Sequence, residues 1–138
     1  MADEVRVQWS MSVKKDNIDK RHGGTFTADL TGTNGPTPGV VAVSASGTDI
    51  TLSQLTTPGW AELKNIGSSG YIEVGIYEPE LAQFYPFLEL SAGESLPVQF
   101  SRNLLEGWTS TGTTPANNRL HARNSSGTGY LEISAYER

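Results

Sequence analysis

Tyr71-Ile72-Glu73-Val74-Gly75-Ile76-Tyr77 lies between Gly67-Ser68-Ser69-Gly70 and the run Phe84-Tyr85-Pro86-Phe87-Leu88-Glu89-Leu90, and this stretch decides how the chain is read. Before it stand Thr57-Pro58-Gly59-Trp60 and Ala61-Glu62-Leu63-Lys64-Asn65-Ile66. After it come Ser91-Ala92-Gly93-Glu94-Ser95 and Leu96-Pro97-Val98-Gln99-Phe100. Short branched or aromatic runs separated by Gly, Ser and Pro turns predict consecutive antiparallel strands. No comparably long segment carries a helical period.

Working outward, Val5, Val7, Trp9, Met11 and Val13 recur at every second position, with Arg6, Gln8, Ser10 and Ser12 between them. That alternation predicts a strand with one face in the core, Trp9 included. Residues 14–22 mix both charges and predict a solvated loop. Phe26, Ala28 and Leu30 resume the alternation. A Gly/Pro-rich loop over 34–39 then leads to Val40-Val41-Ala42-Val43-Ser44, and Thr48-Asp49-Ile50-Thr51-Leu52 follows. Beyond Phe100, residues 101–107 allow one helical turn, and the polar residues 109–118 form a candidate contact loop. Two strands close the pattern. Leu120 and Ala122 face away from His121 and Arg123, and Leu131, Ile133 and Ala135 share one face.

The expected fold is all-β: an antiparallel β-sandwich, a jelly roll of about eight strands, formed by residues 1–138 as a single domain. The length suits one ordinary core. Gly 15 and Pro 7 fit many loops between short strands, and a charged fraction of only 18% leaves a neutral, hydroxyl-rich surface. The formal net charge of -5 disfavours a nucleic-acid coat, so direct nucleic-acid binding is not expected. The first residues lack the pattern of a signal peptide, and no run reaches membrane-spanning length, so no membrane partner is expected.

Chemical motifs are sparse. The absence of cysteine removes disulfides and thiolate chemistry from this chain. His22 and His121 lack the spacing of metal ligands, so neither a metal nor another cofactor is expected. No serine sits in a Gly-x-Ser-x-Gly elbow. Glu73 and Glu89 fall on the outward register, as solvated strand carboxylates rather than an acid/base pair. The chain is therefore read as not an enzyme. Lys14, Lys15, Arg21, Arg102, Trp108, Arg119 and Arg123 are the candidate partner-binding residues. The alternative is a carbohydrate-binding sandwich, with Trp60 and Trp108 stacking on sugar rings.

The runs 57–65, 71–75 and 84–94, with the late Leu120-His121-Ala122-Arg123, resemble small virion structural proteins of tailed bacteriophages. The resemblance covers roughly 57–136 and rests on packing and turn motifs. It implies a non-enzymatic protein made in the host cytoplasm and assembled on the virion, as a capsid decoration protein on the outer head surface. Its implied partners are other copies of itself, with a trimer as the leading choice, and the major capsid protein or other virion proteins. A tail or connector accessory role is the alternative within the same resemblance.

Overall fold

The structure is a computed structural model that describes residues 4–30, 32, 34–101 and 118–138. Those residues form ten antiparallel strands in three sheets, so the all-β reading holds. The strands are β1 (Val5–Lys15), β2 (Ile18–Ala28), β3 (Thr37–Ser44), β4 (Thr48–Asp49), β5 (Pro58–Asn65), β6 (Tyr71–Glu78), β7 (Gln83–Ser91), β8 (Ser95–Gln99), β9 (Arg119–Asn124) and β10 (Thr128–Glu137). They fall into two compact units, Met1–Thr31 and Gly32–Arg138.

The larger unit holds two four-stranded sheets, ordered β3-β10-β5-β8 and β4-β9-β6-β7. Among the described strands of this unit, β6 and β7 are the one consecutive pair that share a sheet; the other consecutive strands lie in different sheets. The first strand of the unit, β3, pairs with the last, β10. Alternation explains the core directly. Leu131, Ile133 and Ala135 of β10 are fully buried, as are Ile72 of β6 and Ala122 of β9. They join Val43, Ile50, Leu52, Leu55, Ala61, Leu63, Val74, Leu90 and Leu120 in one apolar cluster. Burying each large aliphatic side chain contributes about 1.5–3 kcal/mol, and this cluster gives the unit its stability.

Two polar side chains close gaps that the apolar core leaves. Asn65 is 1% exposed; its amide nitrogen donates to the Leu90 carbonyl at 2.9 Å, and its oxygen accepts the Gly67 N–H at 2.9 Å. Asn65 belongs to β5 and Leu90 to β7, so this side chain ties one sheet to the other. Glu137 is likewise buried. Its carboxylate accepts the Thr56 N–H and the Asn34 side-chain amide, both at 2.9 Å. The Thr56 backbone N–H foremost, with the Thr56 and Asn34 side chains, holds this carboxyl below the usual carboxylate range while burial opposes it.

The smaller unit is a hairpin in which β1 and β2 pair in register from Val5↔Ala28 to Lys15↔Ile18. Asp16 and Asn17 make the turn, with Asp16 at a left-handed φ of 49°, which aspartate tolerates better than most residues. Here two expectations are corrected. The charged stretch 14–22 is strand apart from that two-residue turn, because its backbone groups pair across the hairpin. The stripe on β1 is not core: Trp9 is 46% exposed, Met11 51% and Val13 41%. Alternation gives a strand an apolar face; it does not specify what covers that face.

Smaller departures follow the same logic. The expected strand over 48–52 pairs only at Thr48 and Asp49, although Ile50 and Leu52 still enter the core. Residues 34–39 are not simply an exposed loop: β3 begins at Thr37, which is buried and donates to Gln54 at 3.0 Å. The helical turn expected within 101–107 lies outside the described residues beyond Ser101.

Two outcomes follow from this packing. Ile133→Ala should lower unfolding stability by about 2–5 kcal/mol, read as a reduced denaturant midpoint with an unchanged slope. The Glu137 carboxyl is more acidic folded than unfolded, so its contribution is present above the ordinary carboxylate value. That contribution is lost as pH falls through the folded value. Melting temperatures across the acid range should therefore show wild type losing its advantage over Glu137→Gln as the pH drops, and a constant difference would contradict the linkage.

Candidate functional site

Sheet β4-β9-β6-β7 turns Leu120, Ala122, Ile72 and Val74 toward the core. Its opposite face gathers a polar and aromatic cluster from all four strands. Directly opposed residues of antiparallel strands share a face, so the register assembles the cluster. His121 lies opposite Asp49 on one side and Gly75 on the other. Arg119 faces Tyr77, Arg123 faces Glu73, and Tyr77 faces Phe84.

Asp49 is the hub. One carboxylate oxygen accepts Arg119 Nη1 at 3.1 Å, and the other meets His121 Nδ1 at 2.8 Å. A carboxylate acceptor makes Nδ1 the protonated nitrogen of the imidazole. The ring stacks on Tyr77 at 4.9 Å with 26° between planes, and the edge of Phe84 meets it at 5.1 Å. Nε2 lies against Gly47, where a β-carbon would collide with it. Gly75, opposite the imidazole, also has no room for a side chain. A β-carbon there would strike the backbone of Tyr85 and Pro86, at the β-bulge between Val74 and Gly75. Gly47 thus makes space for the buried histidine, and Gly75 for the close approach of β7.

Beyond His121, Arg123 donates through Nε and Nη2 to one oxygen of Glu73, at 3.1 and 2.6 Å, and sits 5.1 Å over the Phe84 ring. An Asp–His pair is half of a general-base arrangement, but such a base needs an open nitrogen facing a hydroxyl, thiol or water. Here His121 is 8% exposed and its second nitrogen is closed off by Gly47. The geometry is that of a clamp. It fastens β4, which has only two register pairs, onto β9 through charge-assisted bonds.

The candidate partner-binding residues separate into distinct places. Arg119 and Arg123 share the clamp face; Arg119 is engaged by Asp49, while Arg123 keeps 45% of its side chain exposed beside Glu73. Lys14, Lys15 and Arg21 are exposed around the hairpin turn in the other unit. Arg102 and Trp108 lie outside the described residues. Trp60, considered as a sugar-stacking ring, is corrected: it is 9% exposed within β5 and is no open platform. Among the described residues, no group of three His, Cys, Asp or Glu side chains could hold a metal ion. A cavity of about 400 Å³ opens between the sheets, walled by core side chains such as Ile50, Leu63, Val98 and Phe100. Its lining is apolar except for Gln99 and Ser101, so it offers volume without groups to orient a polar ligand.

Sequence reasoning placed His121 outward with its arginine neighbours but missed Asp49, Tyr77 and Phe84 as its partners. Gly75, a glycine inside a strand, marked a close approach, but that approach is of the β7 backbone rather than of these partners. If the clamp is rigid, Gly47→Ala should cost about 1–3 kcal/mol, because φ is 105° at this position and the added methyl group displaces the imidazole. A thermal melt compared with His121→Ala checks this, and the double variant should be less destabilised than the two single changes added together.

The chain matches no protein-family model, no curated protein and no solved structure.

Proposed function

We propose that this chain is a non-enzymatic structural component of a phage virion, a decoration protein on the outer surface of the head. In this reading the larger unit is a jelly-roll sandwich. Its strand order supports that description: the two sheets are filled by alternating visits of the chain, and the first strand lies beside the last. Jelly rolls are used in viral shells, and also in lectins. The clamp favours the shell, because its polar side chains are spent on each other rather than held open for a sugar.

The observation that carries the reading is the hairpin. A two-stranded ribbon is marginal alone in water, yet this one is paired over its full length with a row of apolar side chains exposed. Such a face suits a protein that works in contact with others, on a lattice that repeats the contact many times. Other copies of this chain and the shell protein beneath are the partners implied.

Purified particles test the assignment. Mass spectrometry should find this chain in them, and a reconstruction should place its density on the outer head surface. Density confined to the tail or connector would move the protein to an accessory role elsewhere on the virion, and absence from intact particles would overturn the reading.

A further inference from the structure

We infer that Asn34-Gly35 is a site of spontaneous deamidation, restrained by Glu137, and that the modified chain loses the tie between the end of β10 and the segment leading into β3. The inference concerns the chemistry of the chain itself and stands without the virion reading. Asn34 is the one asparagine in the sequence that precedes a glycine. Glycine has no β-carbon to shield its backbone nitrogen, so the preceding side-chain amide is open to attack from it. Asn34 and Gly35 are both exposed, so water reaches the reacting atoms.

Water and hydroxide are the only co-reactants. The Gly35 N–H loses its proton to hydroxide, and the nitrogen attacks Asn34 Cγ. A C–N bond forms, the Cγ–Nδ2 bond breaks, and Nδ2 takes a proton from water and leaves as ammonia. Water then opens the cyclic imide at either carbonyl, which leaves an aspartyl or an isoaspartyl residue at position 34. The net change is water in and ammonia out, with nothing oxidised or reduced.

The fold restrains this reaction. Asn34 Nδ2 donates to Glu137 Oε2 at 2.9 Å, and the Asn34 carbonyl accepts the Glu137 N–H at 3.0 Å. The nitrogen that must leave is therefore the one that Glu137 holds, through a bond strengthened by the carboxylate charge. Release comes when the end of β10 opens locally, which costs far less than unfolding the whole unit.

The fold also amplifies the result. Once modified, position 34 offers an acceptor-only carboxylate where Glu137 had a donor. Glu137 has no room to withdraw. It is 9% exposed, its Oε1 accepts the Thr56 N–H at 2.9 Å, and its stem lies so close to Gly32 that a β-carbon there would collide. Two carboxylates at hydrogen-bond distance cannot both stay ionised without cost. The isoaspartyl form adds a methylene to the main chain as well. It does so beside Gly35, where even a β-carbon would come within 2.6 Å of the Ala135 carbonyl oxygen. Either product pushes residues 34–35 away from β10, next to the pairing of Thr37 with Ala135.

Peptide mapping of the full-length chain, held at mildly alkaline pH, tests this. Position 34 should gain about 1 Da, in aspartyl and isoaspartyl forms, before any other asparagine does. Glu137→Gln replaces the charge-assisted bond by a neutral one and should speed that gain at least about threefold. Asn34→Asp, made as the product, should melt below wild type at neutral pH. Adding Glu137→Gln should recover at least about half of that loss, because an amide at 137 then donates to a carboxylate at 34 with the roles exchanged. No gain at position 34 would overturn the inference, as would a rate unchanged by Glu137→Gln. An Asn34→Asp chain as stable as wild type would overturn it too, and so would a double variant no more stable than Asn34→Asp alone.

Discussion

The two sheets of the larger unit are joined through Asn65. Apolar packing holds them together without preferring one register of facing sheets over a slightly shifted one. Asn65 makes that choice, because its side chain meets its bonds only when Leu90 of the other sheet stands at one position. Its backbone is engaged as well: its N–H donates to the Glu94 carbonyl and its carbonyl accepts the Gly93 N–H, each at 2.9 Å. A buried amide without partners loses its hydration with nothing in return, so a slipped arrangement is penalised even where its apolar contacts are adequate.

The same economy of polar groups governs the outer face of the second sheet. Asp49, His121, Arg119, Glu73 and Arg123 form two adjoining ionic groups, with Tyr77 and Phe84 shielding the imidazole between them. Such groups on an enzyme would converge on an empty space. Here they converge on each other, and the backbone of Gly47 closes the remaining side. The hairpin is the opposite case, a surface on which Trp9, Met11 and Val13 stand about half exposed. Among the described residues, the polar groups of this face fasten strands to one another, while the hairpin shows an apolar stripe at its surface.

Most strands were legible because a strand buried on one face writes its burial into the sequence with a period of two. Leu131, Ile133 and Ala135 stand as the alternation implied, and so do Leu120 and Ala122 against His121 and Arg123. The β1 stripe obeys the same rule and is exposed, since the period reports an apolar face and not its cover. The clamp was illegible for a different reason. Asp49 and His121 are 72 residues apart, on strands that adjoin only because the chain alternates between sheets. The two Gly-Ser turns show the same effect: Ser125 accepts the Tyr71 N–H through its hydroxyl and donates its own N–H to the Tyr71 carbonyl. Their likeness in sequence gave no sign that they would meet.

The pairing of β3 with β10 has a consequence for the order in which the molecule can be completed during synthesis. β10 lies between β3 and β5 and supplies hydrogen bonds to both. A ribosome delivers β3 and β5 long before β10, so the nascent chain carries two open strand edges and half of an apolar face while the residues from β5 to β10 are still being made. Closure waits on the last strand and then occurs at once, because most contacts of that sheet run through it. Chains of such non-local topology fold slowly and are vulnerable while they wait. Translation pauses between residues 65 and 128 would lengthen the vulnerable interval.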